Sequence, residues 1–572
     1  MLLILLAACP DPQSSYVPDV TEVDTAPEDT GEALAPLEHC GELAGDATWV
    51  ATRRHVVTCD VTVSSGTLTV EAGATVSFDE NTSLAVGTMN AEASLVVAGE
   101  TNGVVFAPSG DVAWGGLDIG DTARGVSIAG LSMKQSRNGV SIAGAEVAIN
   151  GLAIDGAEDA CGLSLKYGAR LAAGSAGLAV TNAGSWSVCA EVATADSIPA
   201  AASSYTGNAL DGVYLTGSVI ETSVSWENLG VPYVVAETVD VAGTAGSPAV
   251  LSLTAGVTVL VERDRSLRFS RTGDASQLVV LGTEAEPVVI DAYGADNPGF
   301  WRGIEVSQGA DEVRLAYVTV SGAGGDGAGL RVEDTALTVD HVTITLSGDS
   351  GIALDGSATF TPESQDLTIT TSGGVPLLLP AAAVPSIPLV GLALTGNTVD
   401  AVKVDGEAAV PESGTWSDLG VPYWVADDIE IDGTAASPSV ITVAAGVRLL
   451  FENDTGLYVG KSGAAGLVVE GTEAAPVSFL PWSANTPGAW AGIGVYDNVV
   501  DASMILTNAE VGYAGGNTLK GNLHVVDASP TLTNVAIHDG LEWGIYLSGD
   551  SAPVLAGVTY TDNEAGTCNA CE

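Results

Sequence analysis

Apolar and polar residues alternate along this chain in short runs, and the runs are broken by Gly, Asp, Asn, Ser and Thr. Thr67-Leu-Thr-Val70, Thr75-Val-Ser-Phe78, Val440-Ile-Thr-Val443 and Leu467-Val-Val469 are typical. Alternation with a period of two sends successive side chains to opposite faces, so each run predicts a short strand with one buried face. Sustained i, i+3, i+4 patterning is scarce, which argues against helix. Seventy glycines among 572 residues supply the bends that so many short strands require.

The runs are organised into a long repeat. Residues 226–235 read Trp-Glu-Asn-Leu-Gly-Val-Pro-Tyr-Val-Val, and residues 416–425 read Trp-Ser-Asp-Leu-Gly-Val-Pro-Tyr-Trp-Val. After each come further strands, then Gly-Thr-Glu-Ala at 282–285 or 471–474, and each set closes on Trp301-Arg-Gly-Ile304 or Trp490-Ala-Gly-Ile493. A degenerate copy runs from Trp49 through Gly99 and Phe106 to Trp114-Gly-Gly-Leu117. Thr206-Gly-Asn208 and Thr395-Gly-Asn397 precede the second and third copies. Units of this kind bury their apolar faces only by stacking on their neighbours.

On these motifs the chain resembles the right-handed parallel β-helix proteins of the pectate-lyase-like superfamily. The likeness is nearest to bacterial cell-surface members with a Trp…Gly…Val-x-Phe…Trp-x-Gly-Ile module, and it covers about residues 48–565. It implies an all-β fold, a right-handed parallel β-helix solenoid of three related modules with like positions stacked into aliphatic ladders. The modules are expected at 39–205, 206–394 and 395–572, the last with a C-terminal cap. Many proteins of the superfamily are polysaccharide lyases or glycosidases, so the resemblance leaves enzyme and binding protein both open.

The N-terminal run Met1-Leu-Leu-Ile-Leu-Leu-Ala-Ala-Cys9 is similar to the lipobox of bacterial lipoproteins. That likeness implies removal of residues 1–8 as a signal peptide and acylation of Cys9. It places the mature chain in the cell envelope, at the outer membrane or cell surface, attached to the membrane by lipid alone. Residues 9–38, rich in Pro, Asp, Glu and Thr, then read as a solvated linker with too little apolar surface to fold. The six other cysteines form three sequence-local couples, Cys40 with Cys59, Cys161 with Cys189 and Cys568 with Cys571, as an oxidising compartment favours. The first two couples each span close to one coil of such a solenoid. Coils stacked about 4.8 Å apart lie within disulfide reach. Cys568-Asn-Ala-Cys571 reads as a terminal clip, since a redox or metal CxxC lacks its second ligand pair here.

A net charge of −53, from 71 acidic and 18 basic residues, excludes nucleic acid as a general partner. It also opposes the polyanionic substrates of pectate-type lyases. Asp427-Asp428 resembles the adjacent aspartates of polygalacturonases, but the accompanying Gly-His-Gly and Arg-x-Lys are missing, and His538-Asp539-Gly540 is the nearest approximation. The basic concentration Arg263, Arg265, Arg268 and Arg271 is a candidate anionic-ligand patch, with Arg263 and Arg265 expected on one strand face. The competing reading is local charge balance by Glu262, Asp264 and Asp274. His39, His55, His341, His524 and His538 show no zinc-ligand spacing. His39 and His55 are expected to approach each other if Cys40 and Cys59 pair. No cofactor is expected; calcium is the one cation suited to turns such as Asp291–Asn297 or Glu452-Asn453-Asp454. No catalytic residue is assigned. The expected function is therefore a surface-displayed structural or adhesive protein that binds a glycan or another surface protein. The alternative is a polysaccharide lyase or glycoside hydrolase acting through carboxylates on one face.

Overall fold

The structure, a computed structural model, describes residues 35–571 except Thr272 and residues 406–408. Cys9, the signal segment and most of the linker lie outside the described residues. What is described is nearly all strand, with two short 3-10 helices at Ala195–Ser197 and Ala381–Ser386. The strands lie in sheets of 26, 18 and 6 members, and every strand-to-strand pairing is parallel. The chain is therefore all-β, built on long parallel sheets.

The register explains the alternation in the sequence. Val224 lies opposite Leu251, Leu251 opposite Leu278, Leu278 opposite Val313, Val313 opposite Leu337 and Leu337 opposite Phe360. All six are buried, whereas the residues between them, among them Ser252 and Arg314, are partly or fully exposed. Each aliphatic side chain thus packs on the like side chain of the next level, and one slipped residue would turn the whole row to water. Burial of a Val or Leu in such a row contributes roughly 1.5–3 kcal/mol.

The repeated tryptophans belong to this interior. Trp49, Trp114, Trp226, Trp301, Trp416 and Trp490 are all buried. Trp226 stacks on Tyr233 at 5.1 Å, and Trp416 lies 5.3 Å from Tyr423. The two tyrosine hydroxyls donate to the carbonyls of Glu227 and Ser417. The tryptophans of the closing motif act alike: Trp114, Trp301 and Trp490 donate Nε1–H to the carbonyls of Lys134, Ser321 and Gly512. The Thr-Gly-Asn elements are also structural. Asn208 Nδ2 donates to the carbonyls of Val180 and Tyr205, and Asn397 Nδ2 to those of Ile369 and Leu394, so each amide ties its own bend to the level before.

All three cysteine couples are bridged. Cys40–Cys59 and Cys161–Cys189 span 19 and 28 residues with Cα separations of 4.8 and 5.9 Å, and Cys568–Cys571 clips the C-terminal end. The first strand, Leu37–Ala44, starts inside the segment assigned to the linker, because its pairing with His55–Val70 already begins at Leu37.

Candidate functional site

The sequence candidates do not converge on one centre. Arg263 and Arg265 do not share a strand face. They flank Asp264, whose φ of +59° places it in a tight turn between the strands Thr258–Val261 and Ser266–Phe269. Arg263, Arg265 and Arg268 each have a partner within the fold. Arg263 lies over the Phe300 ring at 4.4 Å, Arg265 donates Nε–H to the Ala236 carbonyl, and Arg268 makes a two-pronged pair with Asp240 at 2.6 and 2.7 Å. Arg268 alone stands on a strand, and its partner is Asp240 rather than the nearby acids of its own turn.

Asp428 is explained by stacking. Asp428 Oδ1 accepts the Gly456 N–H at 2.8 Å, and in the preceding module Thr238 accepts the Ser266 N–H in the equivalent place. Both side chains fasten the start of a strand one level on. Of the turns suited to calcium, the Asp291 carboxylate accepts the Ala292 N–H, and Glu452 accepts from Trp424 Nε1.

The histidines are more informative. His39 and His55 meet beside the first disulfide, 2.8 Å apart, with Trp49 stacked on both. Burial and then the neighbouring imidazole hold His39 down at about 4, and burial also lowers His55. His538 sits between two carboxylates: Nε2 meets Glu510 at 3.0 Å and Nδ1 meets Asp539 at 2.8 Å. Ser478 donates to the other Glu510 oxygen. The Glu510 hydrogen bond raises His538, against burial, and His538 in turn lowers Glu510. His341 has a similar setting nearer the surface, with Nδ1 2.8 Å from Asp340 and Nε2 3.5 Å from Asp366. Chiefly through Asp340, its affinity for a proton is raised.

The outer face also carries aromatic groups that sequence reasoning passed over. Trp424 projects outward between the buried Tyr423 and Val425 and stacks on Trp482 at 4.7 Å, with the planes 5° apart. Lys403, opposite Trp424 on the preceding strand, lies 5.2 Å from its ring. One module earlier, Tyr293 occupies the position of Trp482 and Val234 that of Trp424. There Trp186 packs between Tyr214 at 5.3 Å and Tyr293 at 5.9 Å. Val234 is wholly buried yet outside the interior core, and Tyr214 lies opposite it on the preceding strand. The signal lay in the repeat itself: Tyr-Val-Val in one copy is Tyr-Trp-Val in the other, and the differing residue is the outward one.

No family model, curated protein or solved structure matches this chain. Among the described residues, no helix is long and apolar enough to cross a membrane.

Proposed function

We propose that this chain is a lipid-anchored protein displayed on the cell surface, its strands wound as a right-handed parallel β-helix of three modules. Its outer face binds a glycan or a protein partner, and it performs no catalysis. One observation carries the reading. The motif residues that the modules share are spent on the interior, as Trp226 and Trp416 are, while the outward aromatic groups at Trp186, Tyr214 and Tyr293 and at Trp424 and Trp482 differ between modules. A shared scaffold with variable outer rings is what a binding rod needs. Aromatic faces stack on sugar rings and on apolar side chains alike, and they are enriched where partners bind. Acylation of Cys9 would hold the rod, and the acidic linker would space it from the membrane.

The display half of the proposal is tested by fractionation and by protease treatment of intact cells. The wild-type chain is expected in the membrane fraction and cleavable from outside, and Cys9→Ser should leave that fraction. Unchanged partition of Cys9→Ser would refute the anchor.

A further inference from the structure

The bend that each module repeats is filled differently in the middle one. In the first module Gly130, Gly151 and Gly177 stack there on successive levels, all with left-handed backbone. In the third, Asn508 and Asn534 take the same positions, and Asn534 Nδ2 donates to Asn508 Oδ1 at 3.2 Å. Glycine and asparagine are the ordinary residues for that conformation. The middle module instead places Tyr317, His341 and Asp366 in the column, with φ of 47°, 55° and 50°. Asp340, His341 and Asp366 each bring a potential ligand atom within 4.8 Å of the others.

The geometry points to a transition-metal site at His341 Nε2 and Asp366, for a divalent ion such as zinc. Three features support it. Asp340 can only accept, so its 2.8 Å contact fixes the proton on Nδ1 and turns Nε2 toward Asp366, as the carboxylate behind a metal-binding histidine does. The 3.5 Å from Nε2 to Asp366 is long for a charge-assisted hydrogen bond. It is near the separation of about 3.4 Å that two ligands of one tetrahedral zinc adopt with bonds of about 2.0–2.2 Å. Tyr317 stacks on the imidazole at 4.3 Å and 10°, which holds the ring in that plane, and Gln365 donates to Asp340 Oδ1 at 3.0 Å and holds the carboxylate. An imidazole ligand favours zinc, nickel or copper over calcium or magnesium. With His341 44% exposed, water completes the coordination.

The test is calorimetric titration of the full chain with zinc in excess calcium, which occupies sites made of carboxylates alone. One zinc per chain should bind above the remaining background. His341→Asn, which copies the third module's residue and keeps the backbone conformation, should abolish that site while the metal-free protein keeps its circular dichroism spectrum. Asp340→Asn should weaken it about 10- to 100-fold, as the loss of an orienting partner does. A wild-type chain with no zinc site above background would overturn the assignment, and so would a site that survives His341→Asn.

Discussion

His39 Nε2 lies 2.8 Å from His55 Nδ1, and only one of the two nitrogens can carry a proton between them. His55 Nε2 lies 3.0 Å from the Val50 carbonyl and must donate to it, so in neutral His55 Nδ1 is the acceptor and His39 the donor. The arrangement excludes protonation of both imidazoles at once, since both facing nitrogens would then carry protons. Both imidazoles titrate lower in the folded chain than in the unfolded one, so the unfolded state takes up protons first as pH falls. Stability of this N-terminal edge is therefore present above about pH 6.5 and declines toward pH 4, where His39 titrates. Protection of the His55–Val70 amides, taken relative to their intrinsic exchange rates at each pH, should fall over that interval, and His39→Phe should flatten the dependence. An edge equally protected at pH 7 and pH 4.5 would contradict it.

The His538 cluster has the opposite sign. Its histidine is raised, so its contribution is complete below the unfolded value near 6.5 and is lost as pH rises through the folded value. Glu510 is lowered, so its contribution is present above the ordinary glutamate range and is lost as pH falls through its folded value. The pair is expected to stabilise the C-terminal region most in mildly acidic solution. The difference in thermal midpoint between wild type and His538→Gln, followed from pH 4 to 9, should peak there and shrink toward both ends.

The tryptophans divide by their indole N–H. Trp490 donates to Gly512, whereas the buried Nε1 of Trp416 has no hydrogen-bond partner among the described residues. Trp490→Phe and Trp416→Phe remove similar volume, but only the former strands a buried carbonyl. We expect Trp490→Phe to cost about 1–3 kcal/mol more, as measured by denaturant unfolding.

Much of the fold was legible in the sequence because alternation and stacking obey short-range rules. The ladder from Val224 to Phe360 needs only the period of two, and the cysteine couples need only their sequence-local spacing. The site residues were less legible because the sequence distance between paired strands varies. Leu267 pairs with Ile304, yet Val342 pairs with Leu367, so no fixed offset would have set His341 beside Asp366. The expected shared strand face of Arg263 and Arg265 failed for a related reason: Asp264 takes a left-handed turn, and period-two reasoning fails at a bend.

Removal of the middle disulfide should show how strongly the levels are coupled. Replacing Cys161 and Cys189 by serine opens a closed loop of 28 residues, for which the chain-entropy relation gives about 3.6 kcal/mol. The expected outcome is a lower urea midpoint and faster proteolysis around residues 161–189. Free thiols at both positions in the native protein would contradict the pairing.

The proposal that the outer aromatic groups bind without turnover is tested most directly by exposing the chain to immobilised neutral and acidic polysaccharides and to intact cell surfaces. Retention is measured together with reducing ends and unsaturated products, with and without calcium. The account predicts retention that Trp424→Ala with Trp482→Ala reduces at least tenfold, and no product. Release of product that a single surface Asp→Asn change abolishes would contradict it.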